Sequence, residues 1–349
     1  MTLLRDKDFR PTKSVKWPNQ LSTPAELMKA LRHKTKLSLI RSPICSKIIL
    51  QIVGSWAYLL ANVFNKSTVY NIETFNRELR RTEHQVELLK SEDESEQKLA
   101  VTQTSPLLTL SNHISCIDDP VLWATLLPFT YYATRTDSVR WSPAAVEICF
   151  SKPWHSTFFA LGKTFPIARG EGVNQPAMEF ATALLRYNQW IHLFPEGKVM
   201  RDDKQRTISN KERGYIFKWG ISKLILDYFH ESRVHNSNSE RSIRILPFYH
   251  LGLDEILPIG WPYIPRFGKR ITIFLRPSVI EMNSKLLSDI LAERSLGSIK
   301  SSRPLGKDDI NRIKLTNYLE EEVEKLIEPA TKLHHQECQN VSQNENAPR

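Results

Sequence analysis

Residues 106–120 read PLLTLSNHISCIDDP. The run 106–110 is short, apolar and uninterrupted, the pattern of a buried strand, and it stops at Ser111, Asn112 and His113. Asp119 and Pro120 then suit the opening of a helix, Asp as N-cap and Pro at the first helical position. A strand that passes through a polar turn into a helix is the repeating unit of an α/β domain. The same alternation continues outward. Strands are expected at 164–168, 190–194, 243–248 and 271–275, and residues 175–188 place Met178, Ala181, Leu184 and Leu185 at helical spacing. The predicted fold class is therefore α/β, a mixed sheet flanked by helices.

Composition agrees with a folded chain of this size. Of 349 residues, 41% are hydrophobic and 25% charged, which excludes a mainly disordered protein. Lys and Arg outnumber Asp and Glu, 48 to 38, giving a net charge of +10 that favours anionic partners, either nucleic acid or an anionic lipid surface. No zinc-finger or RNA-recognition motif is present, so nucleic acid is not expected. The cysteines Cys45, Cys116, Cys149 and Cys338 form no close pairs and indicate neither a zinc site nor a disulfide framework. The first twenty residues are polar and hold Asp6 and Asp8, unlike a secretory signal or a cleaved presequence.

Toward the N-terminus, residues 48–64 form the longest uncharged apolar stretch, bounded by Lys47 and Lys66. On a helix, Lys47, Gln51, Ser55, Tyr58, Asn62 and Lys66 fall in one narrow polar stripe. Three placements fit it: in the plane of a membrane interface, against the protein core, or across the bilayer at the short limit of length. The basic stretch 29–41 would strengthen attachment to anionic lipid. The expected organisation is a basic N-terminal region with this membrane-associated helix (1–72), a helix and linker (73–105), a catalytic domain (106–285), a C-terminal helical region (286–333) and a disordered tail (334–349). Residues 198–214 and 231–241 read as surface loops. The aromatic run 215–229 around Trp219 reads as a helix, in the core or against a membrane.

His113 and Asp118, five apart across a strand-to-helix turn, can place a carboxylate on one imidazole nitrogen and leave the other to take a proton from a hydroxyl. Asp118 or Asp119 equally suits a helix cap. Ser115 and Cys116 compete as nucleophiles, but neither sits in a Gly-x-Ser-x-Gly elbow. Arg169 beside Gly170, after the strand 164–168, suits phosphate binding. Phe194, Pro195, Glu196 and Gly197 end another strand in the same way, offering a carboxylate and exposed backbone N–H groups to a glycerol hydroxyl or a phosphate. All three segments lie at strand ends, where ligands of α/β sheets collect.

In order and spacing these three blocks resemble the glycerolipid acyltransferase superfamily. The runs NHISCIDDP (112–120), RWSPAAVEICF (140–150), HSTFFALGKTFPIARG (155–170), WIHLFPEGKV (190–199), FKWGISKLI (217–225), HLGLDEILP (250–258) and PRFGKRITIFLRP (265–277) resemble its phospholipid–lysophospholipid transacylase branch. The likeness covers residues 107–277, about half the chain. It implies His113 as general base, oriented by Asp118, with Arg169, Glu196 and Gly197 binding the glycerophosphate part. It further implies an acyltransferase-like fold and acyl transfer from a donor such as phosphatidylcholine to a lysophospholipid such as monolysocardiolipin, with no metal and no coenzyme A. Cardiolipin remodelling on mitochondrial membranes facing the intermembrane space is the implied setting. An acyl-CoA-dependent lysophospholipid acyltransferase would use the same His113 and Asp118 and is the alternative. Assembly into an oligomer or a membrane-protein complex is left open.

Overall fold

The computed structural model describes residues 43–91, 93, 105–200, 217–234, 241–259, 264–294 and 305–345. The basic stretch 29–41, most of the expected linker after residue 93 and most of the loop 198–214 lie outside these residues.

The sheet is built around β2 (Leu107–Leu110), every residue of which is buried. A strand covered on both faces has no reason to alternate apolar with polar, hence its near-continuous leucines. β2 pairs in parallel with β5 (Ile191–Leu193) on one side and with β6 (Ser242–Leu251) on the other. β7 (Arg270–Leu275) runs antiparallel to β6, and β1 (Lys66–Tyr70) closes that edge in parallel with β7. β8 (Ile280–Asn283) pairs antiparallel with the first half of β6, so the strand order is β1-β7-β6-β2-β5 with β8 off the path. Beyond β5, Trp141 bridges Ile191 in parallel and leads into β3 (Ser142–Ala145), which pairs in parallel with β4 (Thr164–Ile167). The mixed sheet is the expected one.

Pro247 explains how one long strand serves two antiparallel partners. β8 pairs with Ser242 to Ile245 and β7 with Phe248 to Leu251. The proline, which has no N–H to donate, falls where one partner hands over to the other, so no ladder bond is lost.

Helices cover both faces. On one, α1 (Pro43–Tyr58), α2 (Ile72–Leu88) and α3 (Asp118–Leu126) pack around Phe75, Trp123, Trp190 and Phe248. The helix α4 (Pro153–Leu161) lies against α1 and β4. On the other face, α5 (Pro176–Arg186), α6 (Gly220–Val234), α7 (Ser284–Glu293) and α8 (Lys307–Glu324) enclose Leu184, Leu224, Tyr228 and Leu319. A last helix, α9 (Ile327–Glu345), lies on β6 and β7.

Several expectations change. Strands β1, β3 and β8 were not legible: β1 (KSTVY) is a polar edge strand, β3 carries a proline, and β8 (IEMN) is too short for its two buried apolar residues to set a pattern. Because β1 joins the main sheet, the folded unit begins well before residue 106. The segment read as a helix and linker supplies α2, whose Glu78 is buried against β6. Arg244 on β6 is fully buried; it donates to Glu78 Oε2 at 2.9 Å, Thr82 Oγ1 at 3.0 Å and the carbonyl of Ser105 at 2.8 Å. Burial alone would raise the Glu78 carboxyl, but hydrogen bonds from Arg244 and Arg77 hold it below the usual range.

The aromatic helix α6 belongs to the core: Ile221, Leu224, Ile225 and Tyr228 are buried, so that face is not open to a bilayer. It also runs on to Val234, inside the stretch read as a loop. At the C-terminus, α8 and α9 lie in or run on from the expected helical region, and α9 continues to Glu345 where a disordered tail was expected.

Candidate active site

The turn after β2 carries the chemistry. His113 Nδ1 donates to Asp118 Oδ2 at 2.8 Å. That oxygen also accepts the backbone N–H groups of Ile114 at 2.7 Å and Ser115 at 3.0 Å. Asp118 is fully buried, whereas the His113 side chain is 20% exposed. A carboxylate can only accept, so it fixes the proton on Nδ1 and leaves the Nε2 lone pair as the outward-facing base. Among the described residues Nε2 makes no hydrogen bond. Phe194 stacks on the imidazole, ring centres 4.2 Å apart, which limits the ring's tilt.

The helix opens differently from the reading of its sequence. α3 starts at Asp118 itself, Ile117 sits at the cap position without a side-chain bond, and Asp119 lies in the first turn. Asp119 instead pairs with Arg140 and accepts from Trp123 Nε1 at 3.0 Å and Ser142 Oγ at 2.9 Å. Burial would raise its carboxyl; the Arg140 charge and the Trp123 bond hold it below the usual range. Asp118 thus orients the histidine while Asp119 ties the helix start to β3.

Glu196 is buried, and its Oε2 accepts the backbone N–H of His113 at 3.2 Å. One oxygen of the expected lipid-binding carboxylate is therefore bonded to the turn. Gly197 is exposed beside it, with φ +70 and an imagined Cβ only 3.2 Å from Lys218 Cγ. The carbonyl of His113 accepts from Met200 N at 2.8 Å. The N–H groups of His113, Ile114 and Ser115 all point inward to carboxylates, so none of them is available to a developing oxyanion.

Arg169 follows β4 and bonds Glu147 of the short helix Val146–Cys149, with Nε and the carboxylate 2.5 Å apart. It shares the carboxyl-end edge of the sheet with His113 but stands three strand steps away, about 14 Å at the usual spacing. The structure therefore brings His113, Asp118 and Glu196 together and leaves Arg169 at a distance.

The competing nucleophiles are disfavoured. Ser115 is buried and its hydroxyl donates to the Leu257 carbonyl at 3.1 Å. Cys116 is exposed, but partial desolvation of its thiol and the neighbouring Asp118 charge push its pKa up, away from the thiolate. Behind the turn, His192 on β5 is fully buried, bonded to Thr109 Oγ1 at 3.0 Å, and held neutral, its pKa pushed down by burial to about 3. Sequence reading gave no role to His192 or His250; no periodicity separates a buried polar residue on a central strand from its apolar neighbours.

An exposed apolar surface lies on α1 and α4. Along α1 and the wider turn Leu59–Val63 that continues it, Ile44, Ile48, Ile52, Trp56, Leu59 and Val63 are exposed. The opposite face, with Leu50, Ala57 and Leu60, is buried. Lys66 of the expected polar stripe lies in β1 instead. The segment Ile44–Val63 is long and apolar enough to cross a membrane by length and composition, and 28% of its most apolar window is buried. Ser46 Oγ donates to the carbonyl of Leu161 at 2.6 Å, fastening α1 to α4, whose Trp154 is 65% exposed and Phe158 38%.

A family model described as Acyltransferase matches residues 80–250, which hold β2, the His113 turn and both other strand-end blocks. The chain belongs to the acyltransferase family. Within that family it is similar to the tafazzin of Drosophila melanogaster, 33% identical over 230 residues, covering 66% of this chain and 50% of that protein. A protein named taffazin in Dictyostelium discoideum is 29% identical, covering 65% of this chain and 73% of that one. The N-acylphosphatidylethanolamine synthase of Arabidopsis thaliana is 31% identical, covering 64% and 67%. The chain spans half the length of its Drosophila relative.

Proposed function

We propose that this chain is a CoA-independent transacylase that moves an acyl chain from a donor phospholipid to a lysophospholipid. The observation that carries acyl transfer to a hydroxyl is the His113–Asp118 pair, with Nδ1 held at 2.8 Å and Nε2 left outward at a strand end; the likeness to tafazzins supports a phospholipid donor over acyl-CoA. Nε2 takes the proton of the acceptor's free hydroxyl as its oxygen attacks the acyl carbonyl of the donor. The tetrahedral intermediate collapses, the new ester stays on the acceptor, and the departing donor oxygen takes the proton from His113. Asp118 holds the imidazolium in between. One ester replaces another, so the reaction is nearly thermoneutral and runs both ways. Glu196 sets the backbone of His113, and Arg169, once released from Glu147, binds a phosphate remote from the reacting ester; Gly197 leaves room for the glycerol part.

Both substrates reside in a bilayer, and the exposed apolar face of α1, joined to α4, suits burial in the plane of its interface. One face of α1 packed on the domain and the other exposed favours lying in the membrane over crossing it. Resemblance to tafazzins supports phosphatidylcholine and monolysocardiolipin as donor and acceptor, cardiolipin remodelling as the outcome, and mitochondrial membranes facing the intermembrane space as the location.

The test mixes purified protein with membranes containing labelled phosphatidylcholine and monolysocardiolipin, with and without acyl-CoA. Label should reach cardiolipin without coenzyme A and be lost in His113→Ala, which should still bind the membrane. Transfer only from added acyl-CoA would keep the site and make the enzyme an acyl-CoA-dependent lysophospholipid acyltransferase. Retained activity in His113→Ala would overturn the base assignment.

A further inference from the structure

The peptide unit immediately before His113 is gripped at both ends. Its N–H, that of His113, goes to Glu196 Oε2 at 3.2 Å. Its carbonyl, that of Asn112, accepts from His250 Nε2 at 2.9 Å. The Asn112 side chain completes the grip, since Oδ1 accepts the His250 N–H at 2.9 Å and Nδ2 donates to the His250 carbonyl at 2.8 Å. Asn112 and His250 are both buried, and His250 is fully so. Because its partner is a carbonyl, Nε2 of His250 must carry the proton. The same nitrogen stands 3.7 Å from Asp118 Oδ2, too far for a hydrogen bond but on the side of the carboxylate that faces β6.

We infer that His250 is a positioning residue for the acyl transfer, and that with Asn112 it fixes the backbone from which His113 reaches Asp118. This inference rests on the proposed role of His113. The physical argument is one of reach. The Nδ1 bond to Asp118 survives only while the His113 Cα and its preceding peptide plane stay in place. In a turn between a strand and a helix, that plane is otherwise free to flip. Glu196 alone would pin one end of it; His250 pins the other from the neighbouring strand. A buried histidine that served packing alone would not need its ring nitrogen on that particular carbonyl, nor its backbone paired with the side chain of the residue before the base.

The experiment compares His250→Gln and His250→Phe with the wild type in the transfer assay. Gln can set an amide N–H near the position of Nε2, and Phe fills the space without a donor. His250→Phe is expected to lose kcat on the order of 10²-fold with the KM for the lysophospholipid nearly unchanged, and His250→Gln to recover most of the loss. Equal impairment of both variants would mean that volume, not the hydrogen bond, matters, and would overturn the inference. So would a folded His250→Phe with wild-type kcat. If His250→Phe does not fold, Asn112→Ala tests the same grip from its other side: a matching loss of kcat is expected, and an unchanged kcat overturns it. Absence of transfer in the wild type would instead defeat the proposed function itself, so the two failures are distinguishable.

Discussion

Asp118 places three hydrogen bonds on one oxygen, and this sets what its replacement should do. In Asp118→Asn the two backbone donors keep the amide oxygen, and His113 is left facing either a shared acceptor or an NH2 group. The imidazole then loses its fixed tautomer and the charge that stabilises its protonated form. By analogy with triad enzymes, kcat should fall on the order of 10⁴-fold, read in the transfer assay; a loss of a few fold would reduce Asp118 to a helix-start residue. His192 makes a different prediction. Its pKa is about 3 in the folded protein against 6.5 for the free side chain, so between these values the unfolded chain binds the extra proton. Stability is therefore present above pH 6.5 and lost as the pH falls toward 3. Thermal unfolding followed from pH 7 to pH 4 should show this loss, and His192→Gln should flatten it. His113 and Asp118 were legible because five residues across a turn constrain where both can point. The bonds that Glu196 and His250 make to the peptide before His113 were not, since a carboxylate or a ring at a strand end reads the same whether it faces lipid or the turn behind.

Among the elements, α1 and α6 show how apolar patterning can mislead and be put right. Both are rich in large apolar residues. In α6 that face is covered by α5 and α8, while in α1 a second apolar face remains uncovered after the first has packed on the domain. Periodicity cannot tell these apart, because the covering helices come from distant sequence. The strand β1 was illegible for the converse reason: being at the sheet edge, it needs few apolar residues, and β8 is too short to show a pattern. The uncovered face predicts the behaviour of charge placed on it. Ile52→Glu combined with Trp154→Glu should weaken binding to vesicles of cardiolipin and phosphatidylcholine at least tenfold in a flotation assay while the unfolding temperature stays unchanged. Undiminished binding would remove α1 and α4 from the membrane contact.

For the whole molecule, the main sheet is held to its N-terminal part by a buried charge. Arg244 crosses from β6 to Glu78 on α2, with neither side chain exposed beyond 1%. Removing one partner strands the other in the core, so Glu78→Ala should destabilise the fold by about 3–5 kcal/mol, measured by denaturant unfolding. A double replacement with apolar residues of similar volume should cost less. Sequence gave no sign of this, because Glu78 lies in a run of charges that reads as a solvated helix, and its partner is 166 residues away. The mixed sheet itself was legible from its central strands, whose burial on both faces leaves continuous apolar runs.

The partial exposure of His113 has a further consequence. In the proposed role, a base that takes a proton from any hydroxyl at hand does not by itself distinguish a lipid alcohol from water. Which acceptor it meets depends on where the molecule stands. Were α1 and α4 sunk in a bilayer interface as proposed, the nearest hydroxyls would belong to lysolipids; adrift in solution, they would belong to water, and the same two residues would make a slow lipase.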